Sequence, residues 1–364
     1  MGTMTPSPAA PGRPRPGGRR WRLPAAGAAL AVLAVGLAIA VAVAATRPGQ
    51  GSSTGTGPGQ LLPAPGPVPV FSRYSLAPSH GALFGAWVQP AGYTGADAEQ
   101  SAVAAFERKI GRKLAIDHLY IPWTAPMPVA VARWDQRHGS IPMISWAAAR
   151  TDRIAAGRYD ALIRARALQL KALHRPVLLR WFAEMDLPGS RADAISPASY
   201  VAAWRHMHRI FASVGATNVR WVWCPSASTF GTGVAKAYYP GKSYVDWIGA
   251  DGYNWAPERP DTTWRSFEQI FAAFYTWGLP TGKPMLVGEF GSIEGAPGAK
   301  AAWFTQADRA LRTLFPAVRA VVYFNSEHRN FGKYFDWRVT SSRSALAAFR
   351  AFANDSYFKA RPSI

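Results

Sequence analysis

Pro176-Val-Leu-Leu-Arg-Trp-Phe-Ala-Glu-Met-Asp186 reads as a buried strand that ends on a carboxylate, Glu184. A second stretch repeats the design: Pro284-Met-Leu-Val-Gly-Glu-Phe-Gly291 brings Glu289 to the end of another apolar run. Charge placed where a buried strand ends is costly unless it is used. In a barrel of parallel strands that end is the mouth where active sites are built.

Working outward from these two runs, strand-like and helical segments alternate through the chain. Apolar runs at 83–88, 114–121, 141–146, 176–183, 218–224, 245–250, 285–287 and 318–324 have strand length. Helical spacing fills the intervals at 97–110, 128–138, 159–173, 262–277 and 299–314, and a last helix covers 344–353. The 159–173 segment places Leu162, Ile163, Ala167, Leu170 and Leu173 on one side. Ser196-Pro197 opens a further helix, with serine as N-cap and proline in the first turn, and that helix stops near Gly215. Eight strands alternating with helices predict the α/β class and a (β/α)8 TIM barrel. A doubly wound open sheet would call for a glycine-rich phosphate turn after an early strand, and Gly85-Ala-Trp-Val88 lacks that pattern.

The barrel is expected over residues 80–364, a usual size for one such unit. Residues 1–23 hold Arg13, Arg15, Arg19, Arg20 and Arg22 without an acid, and residues 24–45 are uncharged and apolar. Twenty-two helical residues span a bilayer core of about 30 Å, and the arginines would stay on the cytoplasmic side. The expectation is therefore an N-terminal transmembrane signal-anchor with the barrel outside the cell. The alternative is a secreted protein, cut after the small residues that precede Thr46. Residues 46–79, rich in Pro, Gly, Ser and Thr, read as a linker without structure.

Net charge is +20, and beyond residue 80 there remain 34 basic against 21 acidic residues, or +13. No Lys/Arg block occurs in the barrel segment, so the excess reads as a solvated surface and no nucleic-acid partner is expected. One cysteine, Cys224, rules out a disulfide framework within the chain and reads as a small buried residue. No His/Cys/Asp cluster has metal-ligand spacing, and no Gly-x-Ser-x-Gly elbow is present; neither metal nor cofactor is expected. His118 falls within the second strand, while His174, His206 and His208 fall on helices.

Two carboxylates at a barrel mouth match the needs of glycosidic-bond cleavage, which takes a proton donor and, for retention, a carboxylate nucleophile. Four stretches carry a more specific likeness: Arg180-Trp-Phe-Ala-Glu-Met-Asp186, Trp221-Val-Trp-Cys-Pro-Ser226, Tyr238 through Trp255 with its Asp-Gly-Tyr-Asn, and Lys283-Pro-Met-Leu-Val-Gly-Glu-Phe-Gly291. Together they resemble glycoside hydrolase family 26, whose members are mostly endo-β-1,4-mannanases, with other β-glucanases and xylanases. The resemblance runs over about residues 80–353. It implies Glu184 as acid/base, Glu289 as nucleophile and Tyr253 as the tyrosine that steadies the nucleophile. Trp181, Trp223 and Trp255 are then candidate sugar platforms, with Arg180 organising the site and Asp186 and Phe324 supporting it.

Three positions depart from the pattern. Ala183 stands where the family usually has histidine, Asp186 where it has asparagine, and Tyr323-Phe324 where it has a tryptophan. These departures bear on the sugar more than on the hydrolysis. The expected function is retaining, endo-acting hydrolysis of a β-mannan or related β-glycan by a monomer outside the cell. The alternative is a catalytically weak or inactive carbohydrate-binding barrel, or one that remodels envelope polysaccharide.

Overall fold

A computed structural model describes residues 69, 71, 75–90, 95–259, 262–330 and 333–362. The anchor expected at 24–45 and most of the linker lie outside these residues. Among the described residues no helix is long and apolar enough to cross a membrane.

The elements follow in order. They begin with β1 (Leu83–Val88), α1 (Ala96–Ile110), β2 (Ile116–Ile121), α2 (Val129–His138) and β3 (Ile141–Trp146). Next come α3 (Thr151–Ala155), α4 (Asp160–Lys171), β4 (Val177–Trp181), α5 (Arg191–Ala194), α6 (Pro197–Ser213), β5 (Val219–Trp223) and α7 (Val234–Ala237). The chain continues through β6 (Trp247–Asn254), α8 (Phe267–Gly278), β7 (Met285–Ser292), α9 (Ala299–Thr313) and β8 (Val318–Asn325). A hairpin, β9 (Glu327–Asn330) and β10 (Lys333–Asp336), precedes α10 (Arg343–Asn354).

Strands β1 to β8 pair in parallel, each with the next, and β1 closes on β8. The (β/α)8 architecture read from the alternation is therefore the one observed. Inward side chains at the lower end are apolar: Leu83, Ile116, Met143, Leu178, Val222 and Leu286 fill the interior. Outward side chains, such as Phe84, Ile144, Leu179 and Val287, pack under the helices. Burying both faces of each strand is what a parallel sheet requires.

Local chemistry sets several boundaries. Ser196 caps α6, accepting from Ser199 N at 3.1 Å, with Pro197 in the first turn. The helix expected from residue 262 starts instead at Phe267, because Ser266 and Gln269 form a reciprocal capping box there. Strand β7 extends to Ser292, well past the apolar run that marked it. The β9–β10 hairpin was not expected; its sequence is polar and short, with no period to mark it.

The linker reading also needs correction at its end. Leu76 and Ala77 are buried and plug the bottom of the barrel beside Leu83 and Ile116. Trp247 Nε1 donates to Ser75 O at 2.6 Å. The folded unit thus begins before residue 80, since an apolar barrel floor needs a cover.

Candidate active site

Above the apolar floor the inward positions become polar. His118 on β2, Ser145 on β3, Arg180 on β4, Asp251 on β6 and Cys224 just after β5 meet inside the barrel, all of them buried. Arg180 is the hub. Its Nε donates to Ser145 Oγ at 2.6 Å, and its Nη1 reaches both carboxylate oxygens of Asp251 at 2.7 Å. Its Nη2 donates to Glu289 Oε1. His118 Nε2 lies 2.6 Å from Ser145 Oγ, and burial first, then the neighbouring guanidinium, hold the imidazole well below its ordinary pKa. The ring is therefore neutral, and Arg180 is the one cation of the cluster.

Glu289 reaches this cluster through a break in strand alternation. Val287 and Phe290 both face the outer shell, so two residues, Gly288 and Glu289, stand between them in place of one. The register with β6 and with β8 shifts at the same place, as a bulge requires. Gly288 is needed for contact: a Cβ there would lie 2.6 Å from Cys224 Sγ and 2.7 Å from Asp251 Oδ1. The bulge turns Glu289 toward the mouth. Its Oε1 accepts from Arg180 and from Tyr120 OH, and its Oε2 accepts from Tyr253 OH. Burial first, and then the Glu289 charge, push both tyrosines well above the usual phenol range, so both stay donors.

Glu184 arrives differently. It lies three residues beyond the end of β4, in a loop where Phe182 and Glu184 both adopt left-handed backbone, with φ of 48° and 54°. Non-glycine residues rarely hold that conformation, and here neighbouring strand ends impose it. Phe182 N donates to Trp146 O at 3.0 Å, and Glu184 N donates to Cys224 O at 2.9 Å. The Glu184 side chain, by contrast, is buried and has no hydrogen-bond partner among the described residues. Burial, followed by the charges of Asp251, Glu289 and Asp186, holds its carboxyl well above the ordinary range.

Asp186 ties this loop to the next. It accepts from Ser226 N at 3.1 Å and from Thr229 Oγ1, an acceptor-only role that suits a carboxylate where asparagine was expected. Phe324 lies at the mouth, stacked on Trp87 at 4.7 Å. Trp255 is half-buried beside Tyr253, and both pack on Trp337 from the loop after β10.

Two expected platforms are corrected. Trp181 is fully buried under α6, stacked on Tyr200 at 5.3 Å. Trp223 is fully buried against Phe230, Tyr239 and Trp277. Both sit on the outward face of their strands, one position out of phase with the barrel interior, so neither ring reaches a sugar. Tyr120 and Trp87, which reading the sequence did not single out, do face the interior. The period-two series Ile116, His118, Tyr120 was the signal for the first of them.

A closed (β/α)8 barrel with two buried carboxylates of unlike surroundings at its mouth defines a glycoside-hydrolase type of site. Comparison with known proteins agrees. Residues 150–308 match Glycosyl hydrolase family 26. Endoglucanase H of Acetivibrio thermocellus is 36% identical over 286 residues, 74% of this chain and 30% of that protein. The Beta-1,3-xylanase TXYA of a Vibrio species is 28% identical over 144 residues, 37% of this chain and 28% of that protein. The chain thus spans less than a third of the length of these curated relatives. Among solved structures, a β-mannanase of the same family from Bacteroides ovatus superposes with a TM-score of 0.55 at 16% identity, covering 79% of this chain and 92% of that one. At that identity the likeness shows the fold alone. The chain belongs to glycosyl hydrolase family 26.

Proposed function

We propose that the barrel is a retaining, endo-acting glycoside hydrolase for β-linked polysaccharide, with Glu289 as nucleophile and Glu184 as acid/base. The asymmetry of the two carboxylates carries this reading. Glu289 accepts hydrogen bonds from three donors, one of them a guanidinium, so its charged form is well solvated by the protein. Glu184 has no such donors and faces three other carboxylates, which favours its protonated form. Two carboxyls in such unlike surroundings divide into acid and nucleophile.

In the first step, Glu184 gives its proton to the glycosidic oxygen as that bond breaks, and a Glu289 oxygen forms a bond to the anomeric carbon. In the second step, Glu184, now ionised, takes a proton from water. The water oxygen then displaces Glu289 and restores the original anomer. Tyr253, Tyr120 and Arg180 hold the Glu289 carboxylate for attack, while the aromatic rings at the mouth offer faces to the sugar.

The relatives named for endoglucanase, β-1,3-xylanase and β-mannanase activity support a substrate among β-glycans, and we put β-glucan first because the Endoglucanase H match is the longest of the curated ones given above. The test is release of reducing ends by the purified chain from mixed-linkage glucan, cellulose, mannan, xylan and β-1,3-xylan. Cleavage of none of them, with Glu184→Gln binding them as well as the native protein, would make the barrel a binding module.

We further propose that residues 24–45 anchor the protein in the membrane with the barrel outside the cell, as a monomer. The arginine cluster before an uncharged run of helix-spanning length supports this. Protease added to whole cells should release the barrel from the membrane fraction. Recovery from the medium with a new N-terminus near Thr46 would show a cleaved signal.

A further inference from the structure

Among the described residues, the mouth carries an indole that neither the core nor the carboxylate cluster uses. Among the described residues Trp264 is the single exposed tryptophan, at 38%. It lies in the segment between β6 and α8, on the face where the strands end and where Glu184 and Glu289 sit.

Exposure alone assigns nothing, but this ring is seated. Its benzo edge lies on Gly295, in the segment between β7 and α9, where a Cβ would come within 2.4 Å of Cζ3 and 3.1 Å of Cε3 and Cη2. Gly295 has φ of +66°, so glycine serves there both the turn and the close approach. The adjoining backbone is held on two sides. Arg265 N donates to Asn254 Oδ1 at 3.1 Å, and Arg265 O accepts from Trp303 Nε1 at 2.9 Å. Asn254 is itself fixed to Ser292 Oγ at 2.9 Å, which joins the ends of β6 and β7. Those are the strands that bear Tyr253 and Glu289. A rigid, solvent-facing indole on the scaffold that positions a hydrolytic carboxylate has the properties of a stacking platform, since its ordering is complete before a ligand arrives.

We infer that Trp264 forms a distal sugar-binding subsite that stacks on a pyranose ring of a β-linked glycan chain, several units from the bond that is cut. The inference rests on the hydrolase reading above and adds to it a preference for long chains over short ones. The occupant is a continuation of the substrate itself, because the ring shares its supporting strands with Glu289.

The test compares the full chain with Trp264→Ala, Trp264→Phe and Gly295→Ala on an aryl β-cellobioside, cellohexaose, mannohexaose and mixed-linkage glucan. Trp264→Ala should raise KM for the hexasaccharide that is cut by about five- to tenfold, with kcat on the aryl disaccharide moving less than about twofold. Trp264→Phe should recover most of the loss, and Gly295→Ala, which displaces the ring, should reproduce it. An unchanged hexasaccharide KM, or an equal loss on short and long substrates, overturns the subsite while leaving the hydrolase reading intact. So does self-association of the native chain that Trp264→Ala abolishes, which would assign the ring to a protein contact. A native chain that neither cuts nor binds any of these glycans overturns both.

Discussion

Two regions of this molecule gather buried carboxylates, and only one of them looks like chemistry. At the mouth, Asp251 and Glu289 pair with Arg180, and Glu184 and Asp186 are buried in the adjoining loop. In the outer shell, Asp117 on β2 and Asp135 on α2 are as deeply buried, with Glu107 on α1 close by. Glu107 is satisfied, accepting from Leu114 N and pairing with His138, both at 2.7 Å. Asp135, in contrast, has no N–H or hydroxyl donor among the described residues and faces Asp117, with which it shares a hydrogen bond when one of the two keeps its proton. Burial, with the neighbouring carboxylate charges, holds Asp117 well above the usual range and Asp135 up to about 7. A buried pair of acids with no cation between them answers by keeping protons. The mouth has a guanidinium and two phenols, and it distributes them unevenly. What marks the site is therefore the unequal sharing of donors between Glu289 and Glu184, more than the burial of acids.

The largest test of this contrast is loss of the carboxylate that holds the donors. Glu289→Ala should lower kcat on the polysaccharide by on the order of 10^5-fold, measured as reducing ends released. Glu184→Gln should cost about 10²- to 10⁴-fold on the same substrate, and far less on an aryl glycoside whose leaving group needs no proton. The pH profile fixes the sign. A general acid works while protonated, so kcat/KM of the native chain should fall as pH rises through the elevated Glu184 pKa. In Glu184→Gln that alkaline limb should disappear.

Smaller effects probe the donors. Tyr120→Phe and Tyr253→Phe each remove one hydrogen bond to a charged acceptor, and each should lower kcat/KM by about 10- to 100-fold. Gly288→Ala inserts a Cβ into the Arg180–Asp251 pair and should cost a similar amount by misplacing Glu289, with little change in fold by circular dichroism. The smallest effect belongs to the outer shell. Asp135 has a folded pKa near 7, above its unfolded value near 4, so the folded protein holds more protons and stability falls as pH rises between them. Asp135→Asn should leave activity unchanged and raise the melting temperature by about 2–4 °C at pH 8, with no gain at pH 4.

The barrel was legible because its strands are apolar on both faces and its helices have clear stripes, as in residues 159–173. The two glutamates were legible for a related reason, as charges that end apolar runs. Tyr253 and Arg180 followed from the resemblance. The tryptophans did not: Trp181 and Trp223 flank the right strands but point outward, and assigning the face needs the register that only the closed sheet sets. Tyr120 was hidden because its partner, Glu289, is 169 residues away in sequence and reaches it through a bulge. Leu76 was hidden within a Pro- and Ser-rich stretch, since a single apolar plug has no period.

The division of labour between the two glutamates is tested most directly by azide rescue of the alanine variants on an activated aryl β-glycoside. Azide should restore turnover to Glu289→Ala and yield the α-glycosyl azide, because it attacks from the side that Glu289 vacates. In Glu184→Ala it should yield the β-glycosyl azide, by displacing Glu289 in the second step. A β-glycosyl azide from Glu289→Ala, or a rate unchanged by that substitution, would contradict the assignment.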